Sequence, residues 1–503
     1  MRKHLRTIML YVPLLIVLMW TSLGLVERAW PVTDPFVRYH LSYRDRKLDV
    51  VTVSVTVFGA GGDRIAFYVP DAGGRPPEPI CLTAVTHEGD TLGVKRGDGR
   101  WVVSHGGRDF NVNYDLTLTV ADRYRPEIDN MLTLLDGDRY RIIGRDVFII
   151  PECTVARGVV IDMELGPPGS QRSAWPSNGG RIVVPAIETV PLTVAVSGDY
   201  RFMRTTVGGT EVKFSIAGEW LFSDRELFDL VCRIVSHEIS LFGSSPHDSY
   251  LFVCDRNPVK SHDTFGNFGV HFSRNMILLL DPRLDRSDLF DTPVSIIAHE
   301  FFHNWNGDAI RPASDELLWF TEGVTVYYSY RILLDLSVIA PVQYEARRAY
   351  IASRYRDNPY RTDVAIASAA NSDLTDRDMV NLLYNGGFLA AEALDLHLAG
   401  LTGGSVRLID VLRSLYHDGI DGGLDEAALC EAIRRVGGVD LSLFLHGLVH
   451  EPAPEVLSEA AQQVGCGSSP PTPSGPTLQL APGNASPAEH GWSPELRRTA
   501  SSL

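Results

Sequence analysis

Hydrophobic positions recur every second residue in the first third of the chain and every third or fourth residue over much of the rest. Val50-Val51-Thr52-Val53-Ser54-Val55-Thr56-Val57 alternates with a β-branched bias, and Asp115-Leu116-Thr117-Leu118-Thr119-Val120 does so again. Arg141-Ile142-Ile143 and Val147-Phe148-Ile149-Ile150 follow, with Gly- and Asp-rich turns between. A period of two in Val, Ile and Thr predicts half-buried strands, so residues 31–188 are expected to form a β-rich domain. The pattern then becomes mixed. Residues 192–196, 211–216 and 250–254 read as strands, 224–241 as an amphipathic helix, and 315–334 as a helix-like run. Segments 405–417, 425–436 and 441–450 read as amphipathic helices with glycine-rich joints. The expected class is α+β and multidomain: a β-rich domain over 31–188, a mixed domain over 189–400 and a helical domain over 401–452. From 453 to 503 the composition shifts to Pro, Ser, Gly and Ala, including Pro470-Pro471-Thr472-Pro473, which predicts a disordered tail.

The first thirty residues are patterned for targeting. Arg2, Lys3 and Arg6 precede an uncharged run, 7–26, closed by Glu27 and Arg28. A basic flank before an apolar run long enough to span a bilayer predicts a signal sequence or membrane anchor over 1–30. The remainder would lie on the extracytoplasmic side, membrane-anchored, or secreted or periplasmic if the segment is cleaved. With 503 residues and 45% hydrophobic content, the chain has material for two or three cores. Its formal charge of −16 argues against a nucleic-acid partner, which needs a basic footprint. The six cysteines, Cys81, Cys153, Cys232, Cys254, Cys430 and Cys466, lack CxxC spacing, so a cysteine metal site is not expected.

The chemistry concentrates in His299-Glu300-Phe301-Phe302-His303 and in Glu322, with eighteen residues intervening. Helical residues four apart share a face, so His299 and His303 can aim both imidazoles at one ion. Two imidazoles, a carboxylate and a water make the ligand set of a catalytic zinc rather than a structural one. Glu300 lies on the same side, placed to take a proton from that water. Residues 293–298 supply a helix start and an apolar face. Glu322 would come from a second helix packed on the first.

The segment Ala298-His299-Glu300-Phe301-Phe302-His303-Asn304-Trp305-Asn306, with Ile310-Arg311-Pro312 and Leu318-Trp319-Phe320-Thr321-Glu322-Gly323-Val324-Thr325-Val326-Tyr327-Tyr328, resembles the glycyl aminopeptidase family of gluzincin metallopeptidases. The resemblance is dense over some thirty residues and looser over most of the chain. It implies an N-terminal β-domain, a thermolysin-like catalytic domain over 189–400, a helical C-terminal domain and, in many members, a PDZ domain. It also implies one Zn²⁺ per chain, held by His299, His303 and Glu322, and peptide or protein substrates. In gluzincins the strand before the zinc helix pairs with the substrate backbone, which makes Gly269, Val270 and His271 candidate substrate-binding residues. The family's Gly-Gly-x-Glu-His carries an acid for the substrate's free amine. Here Val270 precedes His271, and no acid occurs between Asp263 and Asp281. Tyr384 and Gly387 match the family's Tyr-x-x-Gly, in which the phenol donates to the developing oxyanion. The activity implied is hydrolysis of peptide bonds, aminopeptidase-like, with Glu300 and Tyr384 catalytic. An endopeptidase on the same site, or a retired membrane-anchored peptide-binding protein, are the alternatives.

Overall fold

A computed structural model describes residues 36–457, apart from 71–77, 119–132, 137–138, 154–157, 168–169, 179–180, 258–265, 373–375 and 420–421. The targeting segment 1–30, the tail beyond 457, Cys466, Asp263 and the end of the strand expected at 115–120 lie outside the described residues. Among the described residues no helix is long and apolar enough to cross a membrane, and Cys81, Cys153, Cys232, Cys254 and Cys430 are free thiols.

The alternating segments do form sheets. A seven-stranded sheet has Phe36–Asp45 and Val50–Phe58 near its centre, and two four-stranded sheets complete the β-rich half. Val37, Tyr39 and Leu41 point into one core with Val51, Val53, Val55 and Val57, while the residues between them face outward. The strand Val194–Ser197 pairs antiparallel with Arg139–Ile143, so these sheets extend a few residues past 188.

A five-stranded sheet follows, in the order Arg201–Val207, Thr210–Ile216, Ser249–Arg256, Asn275–Leu280, Phe268–Phe272. Its inner pairs are parallel and its outer pairs antiparallel. One face, with Phe214, Tyr250, Phe252, Met276 and Leu278, packs on helices in the main core. The opposite face carries Leu251, Val253, Val270, Ile277 and Leu279 against Ile143, Val194 and Val196 of the β-rich half. Beside that seam, Arg141 Nη1 meets Asp255 Oδ2 at 2.8 Å, and the Tyr200 hydroxyl donates to the same oxygen at 2.8 Å. A buried ion pair offsets its desolvation only when further hydrogen bonds complete it, and Tyr200 supplies one.

The helices that matter to the site are α1 (Asp224–Phe242), α2 (Thr292–Phe302), α3 (Thr325–Asp335), α4 (Pro341–Arg356) and α5 (Arg377–Leu401). Three more, α6 (Leu408–Asp418), α7 (Glu426–Gly437) and α8 (Ser442–Val449), lie within a few residues of the segments expected from periodicity.

Candidate metal centre

Helix α2 is mostly apolar and is buried around its whole circumference, Pro293 through Phe302 without exception. Such a helix belongs in the middle of a core. Here it lies between the five-stranded sheet, α1 and α3. Pro293 in its first turn leaves no interior carbonyl unpaired. At its far end Trp305 stacks on Phe242 of α1, with ring centroids 4.6 Å apart and planes 4° from parallel, and its indole N–H donates to Ser244 O at 3.0 Å. The chain just beyond the histidines is thereby pinned.

His299 Nε2 and His303 Nε2 lie 3.0 Å apart, and Glu322 Oε2 is 3.4 Å from the first and 3.6 Å from the second. All three residues are buried. A tetrahedral zinc with bonds of about 2.0–2.1 Å would span edges of about 3.3 Å between its ligand atoms, so this triangle is close to the required size. Both Glu322 oxygens are buried without a hydrogen-bond partner among the described residues. A buried carboxylate left facing two imidazoles is the donor set that a cation completes. The residues present fit zinc.

The groups around the triangle aim it. His303 Nδ1–H donates to Asn306 O at 2.9 Å, which leaves the Nε2 lone pair pointing inward. The Asn306 side-chain amide in turn reaches Phe320 O, Thr321 O and Thr325 Oγ1, tying the loop after α2 to the segment that carries Glu322. That segment, Trp319–Val324, is a π-helical turn between a short 3₁₀ turn, Asp315–Leu317, and α3, rather than the continuous helix expected over 315–334. A π turn costs hydrogen-bond geometry and recurs where a side chain must be re-aimed. Burial disfavours charge on all three groups, but their mutual attraction splits the outcome. Burial works against a charged His303, yet the Glu322 carboxylate raises its pKa to about 9. Burial, only partly offset by Glu322, lowers His299 to about 4. Glu322, despite burial, is held well below the usual carboxylate range by His303. Without metal, the geometry therefore favours an added proton on His303 over one on His299.

Glu300 is fully buried and lies against the edge strand Phe268–Phe272. A Cβ on Gly269 would fall 2.2 Å from Ile296 Cγ2 and 3.0 Å from Glu300 Cγ, so only glycine lets the strand approach the base this closely. Of the three candidate substrate residues, Gly269 thus touches Glu300. Val270 points the other way, into the seam with the β-rich half. His271 faces the site, its ring centroid 6.1 Å from that of His303. Both of its nitrogens are engaged, Nδ1 with the Tyr250 hydroxyl at 3.0 Å and Nε2 with Asp308 Oδ2 at 2.9 Å. His271 therefore ties the edge strand to the loop after α2. Burial lowers its pKa in spite of Asp308.

Tyr384, on α5, is buried with its ring 6.3 Å from that of His299 and 22° from parallel. The contact that brings α5 there is glycine on glycine. A Cβ on Gly323 would lie 2.2 Å from the Gly387 carbonyl carbon, and one on Gly387 would lie 2.7 Å from Trp319 O. Asn306 and Asp308 were given no role from the sequence, and Gly323 was noted there only as the residue after Glu322. Polar residues on either side of Trp305, just beyond the HExxH helix, were the available signal.

Residues 249–372 match the peptidase family M1 domain. A leucine aminopeptidase 2 from Lodderomyces elongisporus is 44% identical over 50 residues, which cover 10% of this chain and 8% of that protein. Another, from Emericella nidulans, is 49% identical over 43 residues, 8% of this chain and 7% of that protein. The chain thus spans less than a tenth of the length of these curated relatives in the matched stretch. In structure the chain is similar to an aminopeptidase N family protein from Idiomarina loihiensis, with a TM-score of 0.73 and 19% identity over 85% of this chain and 78% of that one. It is also similar to an M1 zinc metallopeptidase from Deinococcus radiodurans, solved with a Tyr-Ser-Ala substrate, with a TM-score of 0.52 and 16% identity over 84% and 96%. The family match is confined to residues 249–372, and the likeness to these solved structures is one of fold.

Proposed function

We propose that this chain, with an M1 peptidase domain in the fold of the aminopeptidase N family protein, is a zinc metallopeptidase that hydrolyses peptide bonds. The observation that carries the reading is the convergence of His299, His303 and Glu322, with Glu300, next to His299 on α2, packed against Gly269 of the edge strand. Zinc, when bound there, supplies a Lewis acid that polarises a carbonyl and acidifies a water. Glu300 takes the proton of the attacking water and returns it to the leaving amine. Tyr384, beside His299, donates its phenol hydrogen bond where negative charge develops on the carbonyl oxygen. The edge strand orients the substrate backbone, and Gly269 keeps it close enough for Glu300 to reach. His271, held by Tyr250 and Asp308, fixes that strand.

The aminopeptidase-like reading rests on the relatives. A reading with weaker dependence on a free N-terminus draws on the edge strand itself, where Phe268–Phe272 holds no carboxylate and Val270 turns into the core. An ammonium beside the zinc needs an anionic partner, which must then come from another segment. Export is proposed on the basic flank and apolar run of residues 2–26. The decisive experiment is Glu300→Gln. It should retain stoichiometric zinc and lose hydrolysis of a peptide library by several orders of magnitude, since it removes a base and no ligand. Near-normal turnover in that variant overturns the proposal.

A further inference from the structure

A second cluster of ligand-type side chains stands far from the first. Glu426 opens α7, and His446 and His450 lie one turn apart at the end of α8. His450 Nε2 is 2.5 Å from Glu426 Oε2, and His446 Nδ1 is 4.0 Å from Glu426 Oε1. The two imidazoles lie over one another, with centroids 4.7 Å apart and planes 30° from parallel. One ligand atom from each residue lies within 4.8 Å of the others. A simple His–Glu clasp between two helices would need one imidazole. Here both carboxylate oxygens are turned towards a different ring, and the rings sit at the i, i+4 spacing that lets two histidines share an ion.

We propose that Glu426, His446 and His450 form a second, peripheral site for zinc or a similar borderline divalent cation. The donor set, two imidazoles and one carboxylate, suits such ions rather than calcium or magnesium. Closing around a tetrahedral ion, with ligand edges of about 3.3 Å, requires the His450–Glu426 contact to open by under about 1 Å and His446 to swing in by a similar amount. The side chains are 30%, 62% and 27% exposed for Glu426, His446 and His450, so solvent reaches the cluster and can fill the remaining positions. Both histidines end α8, where the helix dipole favours positive charge. The ion would staple α7 to α8. Helix α8 is itself docked on α5, where Phe444 stacks on His397 with centroids 4.1 Å apart. His397 lies thirteen residues along α5 from Tyr384, roughly 20 Å at 1.5 Å per residue. The two sites are therefore separable, and this one joins two helices rather than a helix and a sheet edge. It is a structural staple.

The test is zinc titration of the chelator-stripped full-length chain, using Zn²⁺ alone. Two ions are expected, one tight and one weaker. His446→Ala with His450→Ala should abolish the weaker ion and leave the tight ion and peptide hydrolysis as they were. Glu426→Gln, close to isosteric, should weaken the second ion by about tenfold or more, and it guards against misfolding of the double variant. In a His299→Ala, His303→Ala background, zinc should still raise the melting temperature, and adding His446→Ala with His450→Ala should remove that effect. A single ion at saturating zinc overturns the proposal, as does a second ion that survives both the double variant and Glu426→Gln.

Discussion

Replacing Gly323 with alanine tests whether the glycine contact between the π turn and α5 sets the geometry of catalysis. The new Cβ would sit 2.2 Å from the Gly387 carbonyl carbon, 2.3 Å from its Cα and 2.6 Å from its oxygen. All three are backbone atoms, so no rotamer change relieves the clash. Ordinary van der Waals contact begins near 3.4 Å, so the two segments must separate by roughly 1.2 Å. One carries Glu322 and the other Tyr384. A misplacement of about 1 Å in catalytic groups costs on the order of a hundredfold in rate, whereas overpacking costs about 1–3 kcal/mol of stability. Alanine's better helix propensity returns up to about 1 kcal/mol of that. The expected result is a folded, modestly destabilised protein whose kcat falls by about a hundredfold. Gly400→Ala is the control, since Gly400 is also helical, on α5, but has nothing within 4 Å of the position a Cβ would take. Steady-state kinetics on a fluorogenic peptide, with zinc content and melting temperature measured in parallel, would separate the effects. Wild-type kcat in Gly323→Ala would refute the reasoning.

Three further outcomes are expected. Zinc binding should release about one proton near pH 7, because His303, raised to about 9, must give up its proton to become a ligand, whereas His299, lowered to about 4, is already neutral. Affinity should then fall about tenfold per unit as pH drops below about 9 and more steeply below about 4; calorimetry in buffers of different ionisation enthalpy checks this, and zero proton release contradicts it. Tyr384→Phe should lower kcat by about 10²–10³ with KM and zinc occupancy little changed, and a loss below about tenfold would reduce Tyr384 to packing. On matched peptides with free and acetylated N-termini, the ratio of kcat/KM values should stay below about a hundredfold, about 2.7 kcal/mol; a larger preference would mean that a carboxylate outside Phe268–Phe272 anchors the amine.

Much of the site was legible in the sequence because its logic is local. His299, Glu300 and His303 need only one helical turn to converge, and the apolar residues that bury that turn are its neighbours in the chain. Alternation in 50–57 placed Val51, Val53, Val55 and Val57 on one face because the strand period is two whatever the partner. The periodic segments after 400 became α6, α7 and α8 for the same reason. What the sequence could not determine depends on contacts between distant segments. Residues 315–334 have helical composition throughout, and only the docking of Asn306 and Gly387 selects a π turn at Trp319–Val324. Val270 reads as a substrate contact until the sheet's second face is seen to be a core shared with the β-rich half. His271 reads as a candidate substrate contact, and its sequence neighbours give no sign of Asp308, 37 residues later, which meets its ring. Asp255, on a strand, gives no sign of Arg141, 114 residues earlier. Periodicity encodes which way a side chain points relative to its own element, and packing alone decides what stands opposite.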